Sequence, residues 1–199
     1  VNLSDHKKYW DNKAIDRCRN VDGNIELRGD PKKWNFISDL LSEYITQNDR
    51  VLEIGGGSGA IAVKVFNKLK GIHYVNMDIS EVFASFVGNT FGIPSTVGDA
   101  KQLPFKDNIF DAVWCLDVLE HLYPPDRIET YKEIGRVLKN DGAIFINNPT
   151  YKSKHDQNFE WLFDDRKLLF ETLNEWRIHQ KMTYVIDTAI SEFIVLTRN

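Results

Sequence analysis

The sequence of 199 residues predicts an α/β fold, a doubly wound seven-stranded sheet, mostly parallel, with one antiparallel strand from a C-terminal hairpin. Three observations carry that expectation. Residues 51–54 read as a short buried strand with an acid, Glu53, at its end that stops at glycines, after which Ile61, Val65 and Leu69 recur at helical spacing, so the strand turns directly into a helix packed on a sheet. The alternation of strand and helix then continues to residue 147 and yields five strands, as a parallel sheet with helical crossovers requires. Finally, two strand-like runs at 178–186 and 192–197 are separated only by residues 187–191, a link too short for a parallel crossover and suited to an antiparallel hairpin.

Taken in order, residues 3–18 are polar with Tyr9, Trp10 and Ile15 interspersed, a short helix or ordered arm, and Asn20, Val21, Asp22, Gly23 and Asn24 form a loop. Asp30 and Pro31 suit an N-cap and a first helical turn, and Trp34, Ile37, Leu41, Tyr44 and Ile45 repeat at helical spacing behind them. After the glycine helix, residues 72–77 read as a second strand ending at Asp78; Ser80 caps a helix to about residue 91, and a short third strand around Val97 ends at Asp99. Residues 110–116 are a fourth strand, followed by a turn over 117–121. Pro124, Pro125 and Asp126 open a helix with Ile128, Tyr131, Ile134 and Leu138 inward, which Asn140, Asp141 and Gly142 close ahead of a fifth strand at 143–147. Residues 149–161 read as a polar loop with aromatics, and a helix from Asp164, with Leu168, Leu169, Thr172, Leu173 and Trp176, precedes the hairpin. The length suits a single domain over 1–199, with an N-terminal arm and helices over 1–48, a core over 51–146, a loop over 149–162 and a C-terminal helix and hairpin over 163–199.

Composition narrows the class further. A 42% hydrophobic, 27% charged chain is typical of soluble globular proteins, and a net charge of −4 gives no overall attraction to nucleic acid or an anionic membrane. No apolar run reaches the length of a membrane span, and Ser4, Asp5, His6, Lys7 and Lys8 are too polar for a signal peptide. Cys18 and Cys115 lie far apart, which indicates two free thiols rather than a disulfide or zinc site. The expectation is a cytoplasmic protein with no nucleic-acid or membrane partner and no metal; its oligomeric state is not legible.

A strand that stops at glycines and re-enters a helix exposes backbone N–H groups and the positive end of a helix dipole, and lets a ligand reach the main chain without meeting a Cβ. Two ligand classes compete for such a cradle. The pattern Gly55-x-Gly57-x-x-Ala60, with Asp78 roughly where a ribose-binding acid belongs, fits a dinucleotide fingerprint and hence an NAD(P)-dependent oxidoreductase. The pattern Glu53-x-Gly55-x-Gly57-x-Gly59 resembles the first motif of the class I S-adenosylmethionine-dependent methyltransferases. The leading helix before the glycine strand and the terminal hairpin favour the second. Further resemblance, to the type 11 methyltransferase domain and its many small-molecule enzymes, lies in the stretches Asp107-Asn108-Ile109-Phe110-Asp111, Asp117-Val118-Leu119-Glu120-His121-Leu122 and Val137-Leu138-Lys139-Asn140-Asp141-Gly142. It covers about residues 51–146. The family often has Pro-Gly where this chain has Asn140-Asp141-Gly142, a difference in turn geometry alone.

The resemblance implies a Rossmann-like fold, S-adenosyl-L-methionine as cofactor and a set of donor contacts. Gly55 and Gly57 sit against the methionine portion, which Glu53 orients. Asp78 takes the ribose hydroxyls, Ile79 packs on the adenine face, Asp99 accepts from the adenine amino group beside Ala100, and Leu116 offers its carbonyl beneath the sulfonium. Asp and Gly favour strand-to-helix turns whatever the ligand, so Asp78 or Asp99 taken singly also reads as a turn residue; their joint placement at successive strand ends is what points to a ligand.

Methyl transfer needs alignment and desolvation more than proton transfer. For an acceptor that must lose a proton, His121 is the candidate base, with a hydrogen-bonded helix-start histidine as the alternative. Asp117, Glu120 and His121 lack a fourth ligand at a recognisable spacing, so no metal site is indicated. Asn147-Asn148-Pro149-Thr150-Tyr151 resembles the Asn-Pro-Pro-Tyr motif of enzymes methylating nucleobase amino groups, but lacks the second proline and follows the fifth strand instead of the fourth. Tyr9, Trp10, Asn148, Tyr151 and Trp161, with His155, are the candidates for an acceptor-side lid; hydrophobic anchoring of an arm and a loop is the other reading of Trp10 and Trp161. A small-molecule acceptor follows from how little chain remains for macromolecular recognition, and a donor-binding subunit without turnover stays open beside the enzyme.

Overall fold

A computed structural model of the chain describes residues 3–18, 31–149, 172, 174–186 and 189–198. The chain divides into two compact units, Val1–Asp99 and Ala100–Asn199. In the first, α1 (Leu3–Arg17) and α2 (Pro31–Tyr44) precede β1 (Arg50–Ile54), α3 (Ala60–Lys68), β2 (His73–Asp78), α4 (Glu81–Phe91) and β3 (Ser95–Val97). The three strands pair in parallel, with Glu53 beside Asn76 and Asp78 beside Val97, so their carboxyl ends lie along one edge. Val51, Leu52 and Ile54 are buried, as are Ile61, Ala62 and Val65 of α3 and Ile37, Leu40 and Leu41 of α2. Each helix thus turns an apolar stripe to the interior. Helix α4 starts where Ser80 Oγ accepts from the Phe83 N–H, and ends where Gly92, at φ 66°, donates its N–H to the Gly88 carbonyl.

The second unit contains β4 (Phe110–Leu116), a 3-10 turn (Leu119–His121), α5 (Pro124–Val137), β5 (Leu138–Pro149), β6 (Trp176–Ile186) and β7 (Ala189–Arg198). Strands β4 and β5 are parallel, β5 and β7 antiparallel, and β7 and β6 antiparallel, which leaves β7 as the one strand running against its neighbours. Trp114, Phe145 and Phe193 fill this interior, Trp114 meeting Phe145 edge-on at 6.5 Å between ring centroids. The strand order is β3-β2-β1-β4-β5-β7-β6 in a seven-stranded sheet. The expected fold class, with its mostly parallel strands and single antiparallel strand from the terminal hairpin, is therefore present.

Three local expectations are corrected. Asn140, Asp141 and Gly142 do not form a loop between helix and strand: α5 ends at Val137 and β5 begins at Leu138. The irregularity is instead absorbed as a register shift, since Phe110 pairs with Leu138 but Ala112 pairs with Ala143. Gly142 is needed there because a Cβ would lie 2.9 Å from the Asp111 carbonyl oxygen and 2.7 Å from Leu138 Cγ. On α5, Ile128 is only half-buried, whereas Arg127 and Thr130 are buried, Arg127 donating through Nε to the Leu122 carbonyl at 2.9 Å and Thr130 through its hydroxyl to the Asp126 carbonyl at 2.9 Å. Backbone carbonyls as partners let these polar side chains replace an apolar one. Trp176 opens β6 instead of closing a helix, its indole lying under the Arg198 guanidinium at 5.1 Å. Of the rest of the expected helix from Asp164, only Thr172, Asn174 and Glu175 are described, the last two in a turn, and the 20–24 loop and most of the 149–161 loop lie outside the described residues. Among the described residues no helix is long and apolar enough to cross a membrane, and neither Cys18 nor Cys115 is in a disulfide.

Candidate functional site

In the first unit the glycine turn is shaped by its own backbone. Gly55, Gly57 and Gly59 hold φ of 70°, 54° and 81°, a region that side chains with a Cβ disfavour. The N–H groups of Gly55 and Gly56 donate to the Met77 carbonyl at 2.7 and 3.3 Å, and the Gly57 N–H donates to Asp78 Oδ2 at 2.9 Å. These bonds stitch the turn to the end of β2. Its two sides differ: a Cβ on Gly56 would fall 1.8 Å from Asn76 Oδ1 and 2.8 Å from Glu53 Oε2, whereas one on Gly57 would meet nothing within 4 Å. Behind Gly56 the space is full, and at Gly57 it is open. Helix α3 begins after Gly59 with no side-chain cap, so its first-turn N–H groups point out at the end of the turn without a capping oxygen.

Buried polar residues brace this turn. Glu53 is 3% exposed and accepts a hydrogen bond from the Tyr74 hydroxyl. Asn76, wholly buried, donates through Nδ2 to Ser95 Oγ at 3.3 Å, while its Oδ1 faces the Gly56 backbone with no hydrogen-bond partner. Asp78 is 6% exposed; its Oδ1 accepts from the Ser80 N–H at 2.8 Å and its Oδ2 from Gly57. Burial pushes the Asp78 carboxyl up to about 6, against the backbone N–H groups of Ser80, Gly57 and Ile79 that favour its charge and with the help of the nearby Asp11 carboxylate. Ile79 is half-buried, and Asp99, also half-buried, ends this unit one residue beyond Gly98, whose N–H donates to the Asp78 carbonyl at 3.0 Å.

Helix α1 belongs to the same unit and packs on α4. Asp11 accepts from the Ser80 hydroxyl at 2.6 Å, and Lys7 lies between Asp11, at 3.5 Å, and Glu81, at 3.4 Å. Tyr9 and Trp10 are half-buried and in edge-on contact, with ring centroids 5.2 Å apart. Trp10 Nε1 donates to His6 Nε2 at 3.1 Å, and Lys13 and Arg17 lie over the Tyr9 and Trp10 rings. Both aromatics are thus engaged along their own helix, and Asp11 is the residue by which α1 reaches Ser80.

In the second unit Ala100 and Leu116 are buried, Leu116 as the last residue of β4. Asp117 follows at φ 56°, a left-handed conformation that costs a residue with a Cβ on the order of 1 kcal/mol and needs local support. The support is Asn147, buried at the end of β5: its carbonyl accepts from the Asp117 N–H at 2.8 Å and its Nδ2 donates to Asp117 Oδ1. Asn147 Oδ1 in turn accepts from the Tyr184 hydroxyl at 2.7 Å. Burial, and behind it the Asp117 charge, pushes the Tyr184 phenol well above its ordinary value, so it remains a donor. His121 sits half-buried in the 3-10 turn, 4.0 Å from the buried Glu120 carboxylate. Asn148 is half-buried and its Oδ1 has no hydrogen-bond partner. Tyr151 and Trp161 lie outside the described residues. No group of His, Cys, Asp and Glu that could hold a metal ion occurs among the described residues.

The sequence reading therefore named Glu53, the glycines and Asp78, but missed Tyr74, Asn76, Asp11, Asn147 and Tyr184. One signal was present: Tyr74, Asn76 and Asp78 alternate along β2, a polar face with strand periodicity. Tyr184 carried none, because only the register of the hairpin brings it to Asn147.

Comparison with known proteins places this geometry. The family model described as Methyltransferase domain, type 11, matches residues 52–146. The chain is 30% identical over 121 residues to a glycine/sarcosine/dimethylglycine N-methyltransferase of Actinopolyspora halophila, a match covering 57% of this chain and 21% of that protein. It is likewise 30% identical over 169 residues to the sterol 24-C-methyltransferase ERG6B of Gibberella zeae, covering 81% of this chain and 40% of that protein. The chain thus spans less than two thirds of the length of these relatives. Among solved structures, magnesium protoporphyrin IX methyltransferase of Synechocystis PCC 6803, with bound SAH, superposes with a TM-score of 0.75 at 15% identity, covering 100% of both chains, a likeness of fold. Residues 52–146 match the methyltransferase family model, and the sheet order with its acid-glycine turn gives this segment the form of a class I S-adenosylmethionine-dependent methyltransferase domain.

Proposed function

We propose that this chain binds S-adenosyl-L-methionine and moves its methyl group to a small-molecule acceptor by in-line displacement. The observation that carries the reading is the glycine turn at residues 55–59, tied behind to Asp78 and open at Gly57, within the segment that matches the methyltransferase family. The residues fit the donor: the space at Gly57 and the uncapped start of α3 suit a zwitterionic methionine end, which Glu53 orients. Asp78 Oδ2 accepts from the Gly57 N–H and Oδ1 from the Ser80 N–H, with the Ile79 N–H alongside, and the carboxylate turns its remaining acceptor capacity to the ribose hydroxyls. Ile79 packs on adenine, Asp99 accepts from its amino group with Ala100 adjoining, and the Leu116 carbonyl faces the sulfonium.

When bound, the donor supplies an electrophilic methyl group on a positively charged sulfur. The chain's own part is to orient, to exclude water and, for an acceptor that must lose a proton, to take that proton at His121. Tyr9, Trp10, Asn148, Tyr151 and Trp161 are the residues assigned to the acceptor. Relatives named for sarcosine and sterol support a small acceptor. We read the chain as one domain working in the cytoplasm, its two cysteines reduced.

The test is incubation with donor labelled in the methyl group and a panel of small amines, carboxylic acids and isoprenoids, followed by separation of small molecules. Label in one acceptor, with release of the demethylated donor, is expected. Donor binding with label in no acceptor or cell extract fraction would mark a binding subunit without turnover.

A further inference from the structure

Helix α1 is linked to the strand end that holds the proposed ribose acid through a chain of hydrogen bonds within one compact unit. The Asp11 carboxylate accepts from Ser80 Oγ at 2.6 Å; the Ser80 N–H donates to Asp78 Oδ1 at 2.8 Å; and Asp78 Oδ2 accepts from the Gly57 N–H at 2.9 Å. Ser80 is wholly buried and caps α4 by accepting from the Phe83 N–H at 3.3 Å, so its hydroxyl serves two elements at once. Asp11 is the only partner on α1 that reaches this cap among the hydrogen bonds described, and Lys7, one turn earlier, fastens the same helix to Glu81.

We propose that Asp11 and Ser80 are positioning residues for donor binding: docking of α1 through Asp11 sets the Ser80 cap, and the cap sets the Asp78 carboxylate against the glycine turn. The inference rests on the methyl-donor reading of Asp78. It gives α1 a part in donor binding, through Asp11, beside the acceptor role proposed for Tyr9 and Trp10 of the same helix.

The charges around Asp78 give the proposal a signature that simple scaffolding lacks. Asp11 faces it from α1 as a second carboxylate; Cys18, just past α1, has its thiol pushed up to about 11 by burial and then by the Asp78 charge; Lys7 and Glu81 stand beyond Asp11. Burial pushes the Asp11 carboxyl up, but hydrogen bonds from Ser80 and the Val82 backbone, with Lys7, outweigh that and hold it below its usual value. Asp11 is therefore charged when Asp78 titrates, and it disfavours the Asp78 carboxylate electrostatically while holding it in place geometrically.

Calorimetric titration with S-adenosylhomocysteine from pH 5 to 8 separates these two effects. Wild-type affinity should fall as pH drops through about 6, where the Asp78 carboxylate is lost. Asp11→Asn, which retains an accepting oxygen without the charge, should move that midpoint to lower pH. Asp11→Ala, which loses both, should weaken binding about three- to tenfold at pH 8, the range of one lost intramolecular hydrogen bond, and Asp11→Asn should retain more of that affinity. An Asp11→Asn midpoint at the wild-type pH, or undiminished affinity of Asp11→Ala at pH 8, overturns the proposal while leaving the donor reading standing. Failure of the wild type to bind S-adenosylhomocysteine at any pH overturns both.

Discussion

Asp78 carries two tasks that pull its chemistry in opposite directions. Burial disfavours its charge, yet the backbone N–H groups of Ser80, Gly57 and Ile79 and, in the proposed function, two ribose hydroxyls call for a carboxylate. Because the folded protein holds this proton up to about pH 6, above the unfolded value of 3.8, the folded state binds more protons across that interval. The Asp78 contribution to stability is therefore greatest below the unfolded value and is lost as pH rises through about 6, the reverse of an ion-paired carboxylate. Asp78→Ala should weaken S-adenosylhomocysteine binding by about 1–3 kcal/mol, the range of a charge-assisted hydrogen bond, while circular dichroism shows an intact fold. Unchanged affinity would make Asp78 a brace of the glycine turn and nothing more. At this scale the acids at strand ends were legible because turns and ligand contacts share the same positions. Tyr74 and Asn76 were not, since a polar residue inside a strand acquires its role only from the neighbour that register places beside it.

At the scale of elements, the end of β4 is held by the C-terminal hairpin. Asp117 keeps its left-handed backbone because Asn147 engages both its N–H and its carboxylate, and Tyr184 on β6 fixes which way the Asn147 amide faces. Tyr184→Phe should leave a wholly buried carbonyl oxygen on Asn147 without this donor and lower the stability of the protein by about 1–3 kcal/mol, read as a fall in the midpoint of urea unfolding. An unmoved midpoint would show that Asn147 finds another donor and that the hairpin does not brace β4. The strands and most helices were legible from apolar periodicity, as Ser80 was from its place before α4. Asn140, Asp141 and Gly142 misled because their composition belongs to turns, whereas the chain passes from α5 straight into β5 and takes up the excess residues as a register shift. Trp176 misled for a related reason: an aromatic at helical spacing from Leu169 and Leu173 also suits the first buried position of a strand.

For the molecule as a whole, strand order decides between two ligand classes that the glycine motif alone left open. A dinucleotide-binding sheet continues past its fifth strand with a parallel neighbour, whereas here antiparallel β7 lies between β5 and β6. The terminal hairpin was legible because a short link between two strand-like runs permits no other connection. The central claim, that the glycine turn holds a methyl donor, is tested most directly by calorimetry of the full chain with S-adenosylmethionine, S-adenosylhomocysteine and NAD under one set of conditions. Saturable binding of the first two at one site per chain, with NAD far weaker, is the expected result. Tighter binding of NAD than of either adenosyl compound would contradict the account.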